Sequence, residues 1–176
     1  MPRLFTAIRL PPDIADLLLD TQEGVEAARW QDDEQLHLTL TFLGDVTAHA
    51  ADDLVSALSS VPVQPFELAL RGVGHFEHKS RVRALWADVA ANPDLAALQQ
   101  RVAQACAMAG CPPEARRYLP HVTLARLSGP SPEVPAWLAR HARLALPAFT
   151  VRSFALMAST LTPNGSHYTL VEQFPV

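Results

Sequence analysis

Hydrophobic residues recur along this chain with two different periods, and the switches between them mark out its elements. Residues 4–10 read as a strand. Pro11-Pro12-Asp13 then opens a helix predicted to run to about Arg29, since proline is tolerated in a first turn whose amides have no helical acceptor. A strand over residues 35–42 ends at Gly44, and residues 48–60 form an amphipathic helix closed by Val61-Pro62. Strands over 66–76 and 82–90 flank a polar stretch, 77–81, that reads as a hairpin loop. Leu95, Leu98, Val102 and Ala105 keep helical spacing over residues 93–109, with Gly110 as the stop. A strand over 119–124 follows, then a Pro- and Ser-rich connection at 128–135 and a short helix near 136–143. Two last strands, 149–161 and 166–174, flank the turn Thr162-Pro163-Asn164-Gly165. Strands mixed with helices, several joined by short hairpins, predict an α+β fold with antiparallel sheets.

Composition narrows the class. A chain of 176 residues, 49% of them hydrophobic, suffices for one domain over 1–176, or for two small lobes that share a cleft. A net charge of −4 argues against coating nucleic acid along its length through many phosphate contacts. It leaves room for recognition of one terminus or a small nucleotide. Cys106 and Cys111 are the only cysteines and read as buried free thiols rather than a disulfide framework. The first ten residues are interrupted by Arg3 and Arg9 and lack the apolar core of a signal peptide; no run approaches membrane-spanning length. A soluble, cytoplasmic protein with no membrane partner is therefore expected.

One short phrase occurs twice. His37-Leu38-Thr39-Leu40 returns as His121-Val122-Thr123-Leu124 about half a chain later, each time in a strand. Positions i and i+2 of a strand share a face, so each copy offers an imidazole and a hydroxyl on one side while Leu or Val points into the core. Histidine titrates near neutrality, so two of them on one cleft can remove one proton and deliver another. In-line displacement at phosphorus has an attacking oxygen on one side and a leaving oxygen on the other, which a histidine on each side serves without a metal. The threonine hydroxyls, helped by an arginine, would hold the non-bridging oxygens. Arg126 is the candidate, but strict alternation places it with Val122 and Leu124 on the core face. It reaches the cleft only if the strand ends, bends or bulges near Ala125.

Other chemistries fare worse. Zinc finds no Asp, Glu or Cys at ligand spacing beside either histidine, and threonine is not a zinc ligand. There is no G-x-S-x-G elbow, no Gly-rich phosphate loop and no dinucleotide fingerprint, so neither a metal nor a cofactor is expected. His49 and His141 are expected on solvated helix faces, His75 and His78 in an exposed loop, and His167 at the surface. Trp30, Trp86 and Trp137 read as core or rim residues rather than base-stacking platforms.

Together these stretches resemble the bacterial and archaeal RNA 2′,3′-cyclic phosphodiesterases, formerly called 2′-5′ RNA ligases, of the two-histidine phosphoesterase superfamily. The likeness is carried by residues 3–8, by Leu36-His37-Leu38-Thr39-Leu40-Thr41-Phe42-Leu43-Gly44, and by Gly74-His75-Phe76 followed by Arg83-Ala84-Leu85-Trp86. Pro120-His121-Val122-Thr123-Leu124-Ala125-Arg126 and the late Ser159, Gly165 and Tyr168 complete it, in order and across nearly the whole chain. The resemblance implies a bilobal α+β fold, a pseudo-twofold duplication with two antiparallel sheets facing a central cleft and helices packed outside. It implies metal-independent hydrolysis of 2′,3′-cyclic phosphate ends, on RNA or nucleotides, to 2′-phosphates. His121 is then the proton acceptor that activates water and His37 the proton donor to the departing O3′; the bare residues do not say which is which. Thr39, Thr123 and Arg126 are implied to bind the phosphate, and Phe42 to lie near the base. Reversal, joining a cyclic phosphate to a 5′-hydroxyl through a 2′-5′ bond, requires that hydroxyl to outcompete water. The chain is expected to act as a monomer. The alternative is a non-catalytic nucleotide- or RNA-end-binding module on the same fold, which has little need for both a proton acceptor and a proton donor.

Overall fold

The computed structural model describes residues 2–175, so Met1 and Val176, the ends of the expected 1–176 domain, lie outside the described residues. The chain runs β1 (Arg3–Arg9), α1 (Pro12–Leu19), β2 (Ala28–Trp30), β3 (His37–Asp45), α2 (Ala48–Ser59), β4 (Phe66–Leu68) and β5 (Leu70–His78). It continues through β6 (Arg81–Val89), α3 (Pro93–Met108), β7 (His121–Leu127), α4 (Val134–His141), β8 (Phe149–Val151), β9 (Phe154–Thr162) and β10 (Gly165–Phe174). Local chemistry sets the boundaries. The Thr47 hydroxyl accepts the Ala50 amide at 3.2 Å and the Asn92 side chain accepts the Leu95 amide at 3.0 Å, each satisfying a donor that the first helical turn leaves free. Gly110, at φ 81°, takes the left-handed turn that ends α3. Lys79 and Ser80, at φ 52° and 63°, make the tight turn between β5 and β6.

Seven strands hydrogen-bond along one antiparallel path, β10-β9-β1-β3-β7-β6-β5, with β2 added on β7 as the eighth of the sheet; β4 and β8 form a separate pair. The implied two separate sheets are thus joined. The joint is narrow, because β3 and β7 meet at the single pair Leu38–Val122. On one side of it lie β10, β9, β1 and β3, and on the other β2, β7, β6 and β5. With the short β2 set aside, the order β-α-β-α-β-β occurs twice, as β1-α1-β3-α2-β4-β5 and β6-α3-β7-α4-β8-β9. The last strand of each series pairs with the first strand of the other, β5 with β6 and β9 with β1. In this order β3 and β7 occupy equivalent places.

Leu38, Leu40, Val122 and Leu124 belong to one apolar core with Leu18 of α1, Leu58 of α2, Val102 of α3 and Trp137 of α4. Each such fully buried side chain is stabilised by roughly 1.5–3 kcal/mol relative to leaving it in water. The helices therefore cover the Leu and Val face of the sheet and leave the His and Thr face free. Cys106 and Cys111 are free and buried. Among the described residues no helix is long and apolar enough to cross a membrane.

Three elements depart from expectation, each because a distant partner claims the backbone. The first helix stops at Leu19, not Arg29: the Thr21 hydroxyl bonds the Leu18 carbonyl at 2.7 Å, Gly24 takes φ 83°, and residues 28–30 pair with β7. The strands expected over 66–76 and 149–161 are each interrupted, because β4 and β8 leave the main sheet to pair with one another.

Candidate active site

A bulge in each motif strand decides which side chains leave the core. Against β1, Thr6 faces Thr41 and Ala7 faces Thr39, so Leu40 is an extra residue. Against β6, Leu85 faces Ala125 and Trp86 faces Thr123, so Leu124 is extra in the same way. An extra residue shifts the alternation by one and sends later side chains to the opposite face. Both His37 to Phe42 and His121 to Arg126 accordingly run half-buried, buried, half-buried, buried, buried, exposed. Arg126 thus escapes the core face to which strict alternation assigned it, and Phe42 does the same in the other copy.

All six expected residues, His37, Thr39, Phe42, His121, Thr123 and Arg126, line one pocket of about 690 Å³. Since Leu38 faces Val122 in an antiparallel pair, each histidine lies across from the threonine of the other motif. The Nδ1–H of His37 donates to the Gln35 carbonyl at 2.7 Å, and that of His121 to the Leu119 carbonyl at 2.7 Å. These bonds place the ring proton on Nδ1 and leave Nε2 as the basic atom in both rings. The Thr39 hydroxyl donates to His37 Nε2 at 2.9 Å.

The two rings are held by aromatic side chains. His37 packs against Phe5, at a centroid distance of 4.9 Å, and Tyr168, met edge-on at 5.2 Å, and those two rings also touch each other at 5.2 Å. His121 packs on Trp86 at 4.6 Å, and the Trp86 indole N–H donates to Asp88 at 2.7 Å. Opposite Trp86 on β5 stands Gly74, where any Cβ would collide with the indole nitrogen. Tyr118, whose hydroxyl donates to the Thr39 carbonyl at 3.0 Å, ties the segment before β7 to β3.

Burial is the main cause that lowers the pKa of His37, to about 4; the Gln35 carbonyl opposes it, while Arg126 and His121 push further down. His121 is lowered as well, by burial first and then by Arg126 and Arg116, against the Leu119 carbonyl and Asp88. Near pH 7 both imidazoles are neutral. Arg3, Arg116, Arg117 and Arg126 line the pocket with Glu114 as the one carboxylate among the described residues, and Glu114 is paired with Arg116. The Arg116 guanidinium also lies over the Phe42 ring, 5.6 Å from its centroid. An anion is the ligand that such a lining favours.

Sequence reasoning passed over Phe5 as a support for His37 and took Trp86 for a core or rim residue. Side-chain alternation along one strand carries no record of what the neighbouring strand sets beside it. His141 also differs from expectation: it is half-buried against Trp137, at 5.0 Å, and burial lowers its pKa. Exposed His49 lies beside Asp53 as expected. Among the described residues no group of three or more His, Cys, Asp or Glu is placed to hold a metal ion.

Residues 11–162 match the 2′-5′ RNA ligase superfamily. The RNA 2′,3′-cyclic phosphodiesterase of Archaeoglobus fulgidus is 30% identical over 94% of this chain and 96% of its own. That of Thermus thermophilus is 33% identical over 98% and 89%. A solved Thermus thermophilus structure superposes with a TM-score of 0.83 at 28% identity, covering 98% of this chain and 96% of that one. Escherichia coli LigT complexed with 3′-AMP gives 0.77 at 27% identity, covering 99% and 98%. Likeness of this length, in sequence and in fold, shows that the chain belongs to the 2′-5′ RNA ligase superfamily.

Proposed function

We propose that this protein hydrolyses RNA 2′,3′-cyclic phosphate ends to 2′-phosphates, with His121 as proton acceptor and His37 as proton donor. One observation carries the reading: two imidazoles with equivalent backbone bonds lie on one cationic pocket with Thr39, Thr123 and Arg126. The relatives named above are RNA 2′,3′-cyclic phosphodiesterases, and one family structure holds a nucleotide. His121 Nε2 takes a proton from water as the water oxygen attacks phosphorus. The P–O3′ bond breaks, and His37 gives its proton to O3′. Arg126 and the threonine hydroxyls hold the non-bridging oxygens as charge builds on them.

His37 must be protonated to act as the donor. A phosphodiester anion brings a negative charge beside the ring and favours the imidazolium. Protonation at Nε2 also displaces the Thr39 hydroxyl, freeing it to donate to a phosphate oxygen. Every proton transfer and every charge contact in this scheme is made by a side chain, so no metal is needed. Phe42, with Arg116 over it, offers the nucleotide base a ring to stack on. The two four-stranded groups joined at Leu38–Val122 are read as two lobes of one domain, related by duplication, with the pocket between them. The protein is read as a cytoplasmic monomer. The reverse reaction, 2′-5′ ligation, uses the same groups with a 5′-hydroxyl in place of water.

The test is turnover, in EDTA, of 2′,3′-cyclic mononucleotides and of a short RNA with a cyclic end, resolving 2′- from 3′-phosphate. Release of the 2′-phosphate, lost in His121→Ala, is expected. Tight binding without product would instead make the protein an end-binding module. Recovery of dialysed enzyme only on adding a metal would overturn the metal-free scheme.

A further inference from the structure

The β5–β6 hairpin concentrates positive charge in an acidic chain. Lys79, Arg81 and Arg83 fall within five residues in a protein of net charge −4, and Lys79 is its only lysine. The lone carboxylate nearby, Glu77, is bonded to His75 at 3.1 Å. Because Lys79 and Ser80 form a tight left-handed turn, these cations sit on a stiff arm.

The arm is in line with the pocket. Phe76 faces Ala84, and Ala84 faces Arg126, so the three form one row across β5, β6 and β7. Neighbouring strands lie about 4.8 Å apart, which puts Phe76 about 10 Å from Arg126. Phe76 is 51% exposed and lines the pocket wall. Arg29, opposite Arg126 on β2, adds a cation to the same end. Phe42 and Arg116 lie toward the other end, because β3 and β7 run antiparallel and each residue lies five past its own histidine. The pocket therefore has an exposed phenylalanine ring toward each end and the histidines between them.

We infer that the Phe76 end receives the nucleotide on the 5′ side of the cyclic phosphate and that Arg81 and Arg83 follow the RNA backbone beyond it. A cyclic end with further nucleotides on its 5′ side is then turned over in preference to the free cyclic nucleotide, an inference that rests on the function proposed above. An exposed ring beside a run of cations is how proteins hold single strands with little sequence preference, by stacking and phosphate neutralisation.

The experiment compares kcat/KM for an eight-residue RNA with a cyclic end and for the cyclic mononucleotide, in wild type, Arg81→Glu/Arg83→Glu, Arg81→Lys/Arg83→Lys and Phe76→Leu. Thermal melts confirm that each variant folds. Wild type should prefer the RNA by ~10–100-fold at low salt, and the preference should shrink as salt rises. The Glu pair should reduce it to near unity, Phe76→Leu should reduce it in part, and the Lys pair should keep it. Anisotropy of the labelled RNA should show the salt slope of log Kd falling by ~1.4 in the Glu pair, about 0.7 for each lost phosphate contact on a single strand. Turnover with no RNA preference, or a preference and slope that survive the Glu pair, overturns the inference. Binding with the expected slopes but no turnover of either substrate overturns the catalytic reading and leaves the RNA-tracking surface standing.

Discussion

Identical local bonds do not give two histidines identical protons. His37 and His121 each donate Nδ1–H to the carbonyl two residues back, yet their surroundings differ. His37 packs against both Phe5 and Tyr168 with its pKa lowered to about 4, whereas His121 has Asp88 opposing the decrease. Since kcat/KM reports the free enzyme, and both pKa values are lowered from 6.5, its pH optimum should lie on the acid side of 6.5. Substrate charge raises His37, so the descending limb of kcat should lie at higher pH than that of kcat/KM. Both limbs belong to the coupled pair rather than to either residue. A kcat/KM maximum above pH 7 would contradict this arrangement. Arg126→Ala tests the same field, because its charge depresses both rings: the bell should move to higher pH as activity falls ~10–1000-fold. His37→Ala and His121→Ala should each cost ~100–10,000-fold, the usual worth of one positioned acid or base.

At the scale of the element, the bulges at Leu40 and Leu124 do what the residue pattern alone leaves undecided. The alternation of His37, Leu38, Thr39 and Leu40 is plain in the sequence, and so is the strand that carries it. The placement of Phe42 and Arg126 is not, because a bulge exists only relative to the partner strand, β1 in one case and β6 in the other. The same reason hides the cradle under His121, where Gly74 on β5 makes room for Trp86 on β6 and Trp86 supports a ring on β7. Gly74→Ala should force the indole from its place at a stability cost of about 1–3 kcal/mol, typical of overpacking, and should lower turnover ~10-fold. In a Trp86→Ala background, which removes the obstructing ring, adding Gly74→Ala should change turnover little. A double-mutant cycle showing independent, additive losses would place the effect elsewhere.

At the scale of the whole molecule, the pocket is assembled from segments that are far apart in the chain, and this limits what local pattern reveals. Residues 28–30 continue a helical run in sequence but are drawn into pairing with β7, and β9 crosses back to β1 before β10 closes that edge. Such pairings set the two imidazoles against apolar and cationic neighbours, with a consequence for folding. The unfolded chain protonates His37 near pH 6.5 and the folded chain only near 4, so between those values the unfolded state binds more protons and stability falls as pH falls. The contribution is fully present above pH 6.5 and is lost on acidification toward the folded pKa. A gap of this size corresponds to about 3 kcal/mol, with His121 acting in the same direction. Urea unfolding at pH 7.5, 5.5 and 4.5 should therefore show wild type losing about 2–3 kcal/mol more than His37→Gln, which has no proton to gain. Equal losses in the two proteins would mean that His37 is protonated in the folded state as readily as in the unfolded one. Inorganic phosphate at millimolar concentration should narrow the difference by binding the folded state with His37 charged, which would link the acid sensitivity of the fold to the anion that the cationic lining favours.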